Sequence, residues 1–557
     1  MKTIGFALLA LSSLAAFAQP GMVSMSSMDH GMTAGSRGPA ADERLGTVSF
    51  PVSCAPAVQA PFNRGVALLH DFWYEEARRQ FGEILKDDPG CAMAHWGVAM
   101  SEFHQIWNRP DEKAVASAWT ELKDARGAKT PREQAYIAAL SDFMRPGEAK
   151  YPERIKAYSE AMGKVYAAYP EDVDAGAFYA LSLLAAAPPD DTSLSWAHRA
   201  MGVLGPLFSK APDNPGVDHY IVHSCDNPAM AAEGLAAANH YLEIAQSGAH
   251  AYHMPGHIYA RLGMWPQDIV ANLGSVEASK AAQARVGSGI MDEPHSYDFL
   301  MYAYLQSGQD DRAKWVLEQT GPLLTEMDGM PGMSGHRRDS MVPYYRSKFA
   351  VFYALERRDW KAAGALEPAP GATPDVATLA VWARSIAHGH LHDAEAARAD
   401  LDRYHALMDE VKKGKNAYLA EETGAKIEEE EVIGWVHFAI GKPDGAIEHM
   451  RAAADLQDKV GQGEVDIPAR EMLGDMLLEA HQPEKALVEY EVALKLSPNR
   501  FNGLYHAGVA AEEAGDKAKA QEYFATLLKV TGNGAQSVRP ELAYAKGFLA
   551  GPQVAAK

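Results

Sequence analysis

The chain has 557 residues, 47% of them hydrophobic, and a formal net charge of −21. That length suits several domains or one long repeat array. The acidity argues against nucleic acid or an anionic membrane as a partner.

In chain order, the first 18 residues read as a secretory signal. Lys2 supplies a basic start, Ile4 to Leu14 a short apolar stretch, and Ala16-Phe17-Ala18 a small-x-small cleavage site. No later segment reaches about 18 uninterrupted apolar residues, so no membrane insertion is expected. No Cys stands at the cleavage site, which argues against a lipid anchor. The mature chain is therefore expected in a periplasm or outside the cell. Residues 19–61 lack periodicity and read as a flexible arm rich in Met, Ser, Gly and Pro. From Phe62 the pattern changes to amphipathic helices. Cys54 and Cys91 flank the first hairpin, and an oxidising compartment would let them pair. Cys225 is left over, either as a small buried apolar residue or as a soft metal ligand beside His223.

The helices repeat. Gly65, Ala77, Phe81 and Pro89 fall at offsets 0, 12, 16 and 24, as do Gly474, Ala486, Tyr490 and Pro498. Gly508, Ala520 and Phe524 follow one 34-residue period later. Small residues let paired helices approach, an aromatic fills the gap to the next pair, and Pro ends the repeat. On these residues the chain resembles the tetratricopeptide (TPR) repeat superfamily, strongly over 62–95 and 468–530 and more weakly at 153–185, 219–245, 253–280 and 295–320. The resemblance implies an all-α, TPR-like helix-turn-helix solenoid (a superhelix), with insertions between the middle repeats. The expected layout is a central array over 62–320, a Met/Gly-rich loop over 321–345 and a second array over 346–550. Thr130-Pro131-Arg132-Glu133 is a capping box that starts a further helix.

His250-Ala-Tyr-His253-Met-Pro-Gly-His257 leading to Arg261-Leu262-Gly263, with Asp226-Asn227-Pro228 and His295-Ser-Tyr-Asp298, is similar to a group of exported bacterial repeat proteins. That resemblance implies a fold and no reaction.

Seven of the 21 histidines lie between residues 219 and 295, where an even spread would put about three. His219/His223 and His253/His257 are i,i+4 pairs, a spacing that lets two imidazoles share one helix face and one metal ion. Counting repeats puts His219, His223, His253, His257 and His295 on the first helices of three successive repeats. In similar arrays those helices line the concave groove. Asp298 and Asp226 are expected as added ligands or orienting partners. His240 falls on a second helix and reads as structural; His250, near a loop, stays possible. The competing view is that these are hydrogen-bonded core or groove histidines. No Glu separates the paired histidines, so the zinc-protease arrangement is absent.

Met22, Met25 and Met28 recur every third residue and run into His30. Met327, Met330 and Met333 do the same and run into His336, in a Gly/Pro-rich loop. Thioethers select Cu(I), so these tracts favour copper over zinc or iron and read as accessory loading sites. Their bland alternative is Met tolerated in disordered arms. The run Glu428 to Glu431 reads as an exposed helix face and Pro498 to Asn502 as a structural turn. No phosphate loop, nucleophile elbow or dinucleotide fingerprint is present.

The expectation is an exported repeat protein whose concave groove holds a His-rich transition-metal site, copper favoured, and a peptide or protein partner. One alternative is a metal-dependent oxidoreductase using the same His/Asp cluster, with Tyr220, Tyr252 and Tyr297 nearby. The other is a metal-free interaction scaffold, the default use of such a fold.

Overall fold

The apolar periodicity becomes helix throughout. In the computed structural model, residues 43–551 are described, apart from 107–108, 148, 189–190, 331–334, 464 and 536. Every regular element among the described residues is a helix, from the short 3-10 turn Pro56–Val58 to the helix Pro540–Ala550. None of these helices is long and apolar enough to cross a membrane. The first 18 residues, read above as a secretory signal, and Met22, Met25, Met28 and His30 lie outside the described residues.

The described chain divides into two compact units, residues 43–258 with 270–296 and residues 259–269 with 297–551. In the first unit, consecutive helices pack on one another in antiparallel succession, beginning with Gln59–His70, Tyr74–Asp87 and Ala92–Met100. The polar breaks start helices in a definite way. Asp111, Asp172 and Asn214 accept hydrogen bonds from backbone N–H groups that the first helical turn leaves unpaired. Thr130 and Glu133 form the capping box, at 3.2 and 3.1 Å.

The spaced glycines have a direct packing role. A Cβ at Gly65 would lie 2.6 Å from the Phe81 ring, and one at Gly97 would lie 2.5 Å from it. Phe81 is thus wedged between two bare backbones. In the second unit Gly474 meets Tyr490 and Gly508 meets Phe524 in the same way, at 2.7 and 2.6 Å. Ala77, Ala486 and Ala520, the small residues of the second helices, are wholly buried. Gly508→Val must therefore displace Phe524. We expect a loss of about 1–3 kcal/mol, read from the urea midpoint, although valine is the better helix former.

Residues 43–58 are not part of a featureless arm. Phe50 is fully buried, 5.4 Å from Phe62, 5.0 Å from Tyr136 and 5.7 Å from Trp96 between ring centroids. The Arg132 guanidinium lies 4.1 Å over its other face. Ser53 donates through both its backbone N–H and its hydroxyl to Glu133, at 2.6 Å each. Cys54 and Cys91 are joined in a disulfide, with Cα atoms 4.9 Å apart.

The second unit follows the same hairpin logic from Asp310–Gly329 onward. Here too the structure departs from expectation. Residues 321–345 are not one loop: Asp310–Gly329 and Gly335–Glu356 are helices, each carrying an internal proline, Pro322 and Pro343. Met327 is fully buried on the first of them, beside Leu323 and Leu324, so it is a core side chain. Met330 just follows that helix. Met333 and the His336 side chain lie outside the described residues. The acidic run is also only partly exposed, since Glu431 is buried and accepts a 2.6 Å hydrogen bond from the Trp382 indole.

His506 adds a pH dependence to this unit. Burial strips its imidazole of water and pushes its pKa down to about 4, with Arg358 adding to the shift and Asp475 opposing it. Between pH 4 and 6.5 the unfolded chain binds this proton and the folded chain does not, so stability rises with pH across that window. His506→Gln is expected to flatten the rise by about 2 kcal/mol, seen in urea unfolding at pH 4.5 and pH 7.

Candidate metal centre

The helix Pro215–Cys225 begins with Asn214, whose side chain caps the N–H groups of Gly216 and Val217 at 3.0 and 3.3 Å. Four residues on, His219 and His223 share one face, with ring centroids 4.7 Å apart. The next pair is built differently from expectation. His253 ends the five-residue helix Ala249–His253, and His257 lies in the separate helix Pro255–Arg261. Pro255 has no N–H to continue the first helix. The break does not separate the rings: His253 Nε2 and His257 Nε2 are 2.9 Å apart.

Two three-histidine sets result. His219, His223 and His250 offer ring nitrogens that all lie within 4.8 Å of one another, and His253, His257 and His295 do the same. His250 and His253, three residues apart on one short helix, link the sets with ring centroids 6.4 Å apart. Two nitrogens on one tetrahedral ion at about 2.0–2.1 Å stand about 3.3 Å apart. The pairs here, 3.1 Å for His219/His250 and 2.9 Å for His253/His257, are close to that spacing.

The outer nitrogens determine what the inner ones offer. His219 Nδ1 lies 2.6 Å from the His70 backbone oxygen, which only accepts, so Nδ1 carries the proton and Nε2 a lone pair. His257 Nδ1 donates to the Asp226 carboxylate at 2.9 Å, with the same consequence. His253 Nδ1 faces Asn272 Oδ1 at 2.6 Å. Imidazoles held this way by a carbonyl or carboxylate are oriented as metal ligands. If Asn272 Oδ1 accepts from His253 Nδ1 as Asp226 does from His257 Nδ1, both Nε2 atoms turn a lone pair toward the 2.9 Å contact between the rings. Either a proton or a cation between them turns that repulsion into attraction.

The surroundings keep the first set neutral. Burial pushes the His219 pKa down to about 3, and it takes His223 and His250 well below the usual histidine value, with neighbouring imidazoles adding to each shift. Neutral imidazole is the metal-binding form. Phe72 covers this set, its ring 4.4 Å from His219 and stacked on His250 at 5.5 Å and on His223 at 5.6 Å. Phe72 holds the left-handed conformation (φ 56°), a cost for a bulky residue that persists only where its surroundings impose it. Tyr241 stacks on His219 from another side at 5.2 Å and donates to the buried Asp71 at 2.8 Å.

The expected residues therefore divide. His219, His223, His253, His257 and His295 fall into the two sets. Asp226 is the hydrogen-bond partner of His257 Nδ1. Asp298 forms a buried ion pair with Lys348, which occupies its carboxylate with a cation of the chain itself. His240 donates to Asp218 at 2.7 Å as a structural residue. Cys225 is buried with its Sγ 3.6 Å from Met201 Sδ, and burial pushes its thiol up to about 12, so it stays protonated. His250 and His70 were not selected by sequence. His250 showed only its i,i+3 spacing to His253. His70, 149 residues before His219, gave no signal at all. Gly216 admits it, since a Cβ there would lie 2.2 Å from His70 Nδ1.

No protein-family model matches the chain, and no curated protein matches it as a relative.

Proposed function

We propose that this chain is an exported, TPR-like helical solenoid that binds transition-metal ions through two three-histidine sets, with copper the leading ion. The observation that carries this is the Nε2-to-Nε2 contact of His253 and His257, with each outer nitrogen held by an acceptor. An all-imidazole donor set suits copper, zinc, iron and nickel alike. The preference for copper therefore rests on the Met22 to His30 tract, because Met327 is spent in the core.

A second reading, a metal-dependent oxidoreductase, is favoured by one feature. Three imidazoles leave a four-coordinate ion one open position, as catalytic sites do. Tyr220 lies beside the first set and hydrogen-bonds His70 Nδ1 at 2.9 Å.

Competition titration of chelator-stripped protein with Cu(II) and Zn(II) tests the binding reading, with saturation at two ions per chain expected. Asp226→Asn is expected to weaken the His257 set about 10–100-fold and spare the other. Equal loss at both sets, or none at either, would refute the assignment.

A further inference from the structure

The two histidine sets share a donor type but not an environment, and both lie within the unit of residues 43–258 and 270–296. The first set is the drier. His219 is wholly buried and His250 is 8% exposed. The Phe72 ring lies against all three imidazoles, 4.4 Å from His219, 5.5 Å from His250 and 5.6 Å from His223. Tyr241 stacks on His219 as well, at 5.2 Å. The group that orients His219 is a neutral backbone carbonyl. Burial also works against charge on Asp71, which accepts from Tyr241 at 2.8 Å, and raises its pKa well above the usual carboxylate range.

The second set is wetter and has an acidic partner. His253 is buried, but His257 and His295 are only partly so. His257 is oriented by the Asp226 carboxylate at 2.9 Å, and these two side chains are 13% and 14% exposed.

These differences act on the charge of a bound ion. The cost of taking an ion out of water grows with the square of its charge, so a divalent ion costs about four times as much to bury as a monovalent one. A carboxylate behind a ligand imidazole offsets part of that cost, and a carbonyl offsets less. Coordination number works in the same direction. Zn(II) is completed by a fourth ligand, commonly a water, whereas three imidazoles satisfy the soft Cu(I) ion. The Phe72 ring offers no fourth donor.

We infer that the two sets divide their ions by charge: His219, His223 and His250 take Cu(I), and His253, His257 and His295 take a divalent ion, Cu(II) or Zn(II). The division rests on the metal-binding reading above and adds to it which ion goes where. Phe72 and Asp226 set the preference, Phe72 by presenting an apolar face where a water would complete a divalent ion, Asp226 by supplying negative charge behind His257.

Anaerobic competition titration of the full-length protein reads each set alone. His253→Ala with His257→Ala leaves the first set, and His219→Ala with His223→Ala leaves the second. Bathocuproine disulfonate competes for Cu(I) and nitrilotriacetate for Cu(II). The preference for Cu(I) over Cu(II), as the ratio of dissociation constants, is expected to be at least about a hundredfold greater in the first set. Wild-type protein given one equivalent each of Cu(I) and Zn(II) should hold one of each. Asp226→Asn keeps an acceptor for His257 Nδ1 and removes its charge. It is expected to weaken Cu(II) binding at the second set about 10–100-fold and Cu(I) binding there distinctly less. Phe72→Asn suits the left-handed backbone, opens the cover and should lower the Cu(I) preference of the first set about tenfold. If Phe72→Asn melts early, Asp226→Asn, at a partly exposed position, carries the test. Equal preferences in the two sets, or a stronger Cu(I) preference in the second, would overturn the division and leave two-site binding standing. So would equal losses of Cu(I) and Cu(II) in Asp226→Asn. Failure of both sets to bind any ion would overturn the metal-binding reading and the division with it.

Discussion

Replacing His253 and His257 together by alanine is expected to abolish one metal site and leave the other intact. The double variant keeps only His295 of its set, and one imidazole does not hold a transition ion against water and buffer. The set of His219, His223 and His250 keeps its own outer partner, the His70 carbonyl. A ligand at a hundred times its dissociation constant stabilises the folded state by about 2.7 kcal/mol per site. Metal-induced stabilisation should therefore fall by about half, and the bound ion count from two to one. The comparison is made with and without metal for each protein. His253 is buried against Asn272, so the metal-free variant loses stability of its own. His219→Ala with His223→Ala should give the mirror result. A double variant that still binds two ions would show that these imidazoles are core residues.

Arg500→Ala carries the largest expected cost to folding. The guanidinium is 1% exposed and grips Glu471 through two nitrogens, at 2.8 and 2.9 Å. It also donates to the Asp466 carbonyl at 2.9 Å and to the Tyr302 hydroxyl. Its removal strands Glu471 and Glu356 as buried carboxylates facing one another without a cation. Breaking a buried pair in this way costs about 3–5 kcal/mol. Arg500→Lys restores the charge without the two-pronged geometry and should recover only part of it. Thermal unfolding followed by circular dichroism checks the order wild type, Arg500→Lys, Arg500→Ala. Equal melting temperatures for all three would contradict the role given to this residue.

What could be read from sequence follows from the range of the interactions. Gly65 with Phe81, Gly474 with Tyr490 and Gly508 with Phe524 are sixteen residues apart on one hairpin, so fixed spacing alone exposed the contact. The histidines were legible as a local excess for the same reason. What escaped depends on contacts between distant segments. Phe50 stands alone in a Gly/Pro-rich stretch, and only Phe62, Trp96 and Tyr136 closing around it make it core. Asp298 promised a ligand until Lys348, fifty residues later, took its carboxylate. Met327 sat in a Gly-rich context that suggested a loop, yet the helix runs through Pro322 because Leu323, Leu324 and Met327 bury one stripe of it. Arg500 lay in a segment read as a plain turn, and its partners come from three separate parts of the chain.

The most direct measurement of the central claim is elemental analysis of untagged protein purified without chelators. Two transition-metal ions per chain are predicted, falling to one in the His253→Ala, His257→Ala variant. Metal-free protein that takes up no copper, zinc or iron on addition, and whose melting temperature ignores all three, would contradict it.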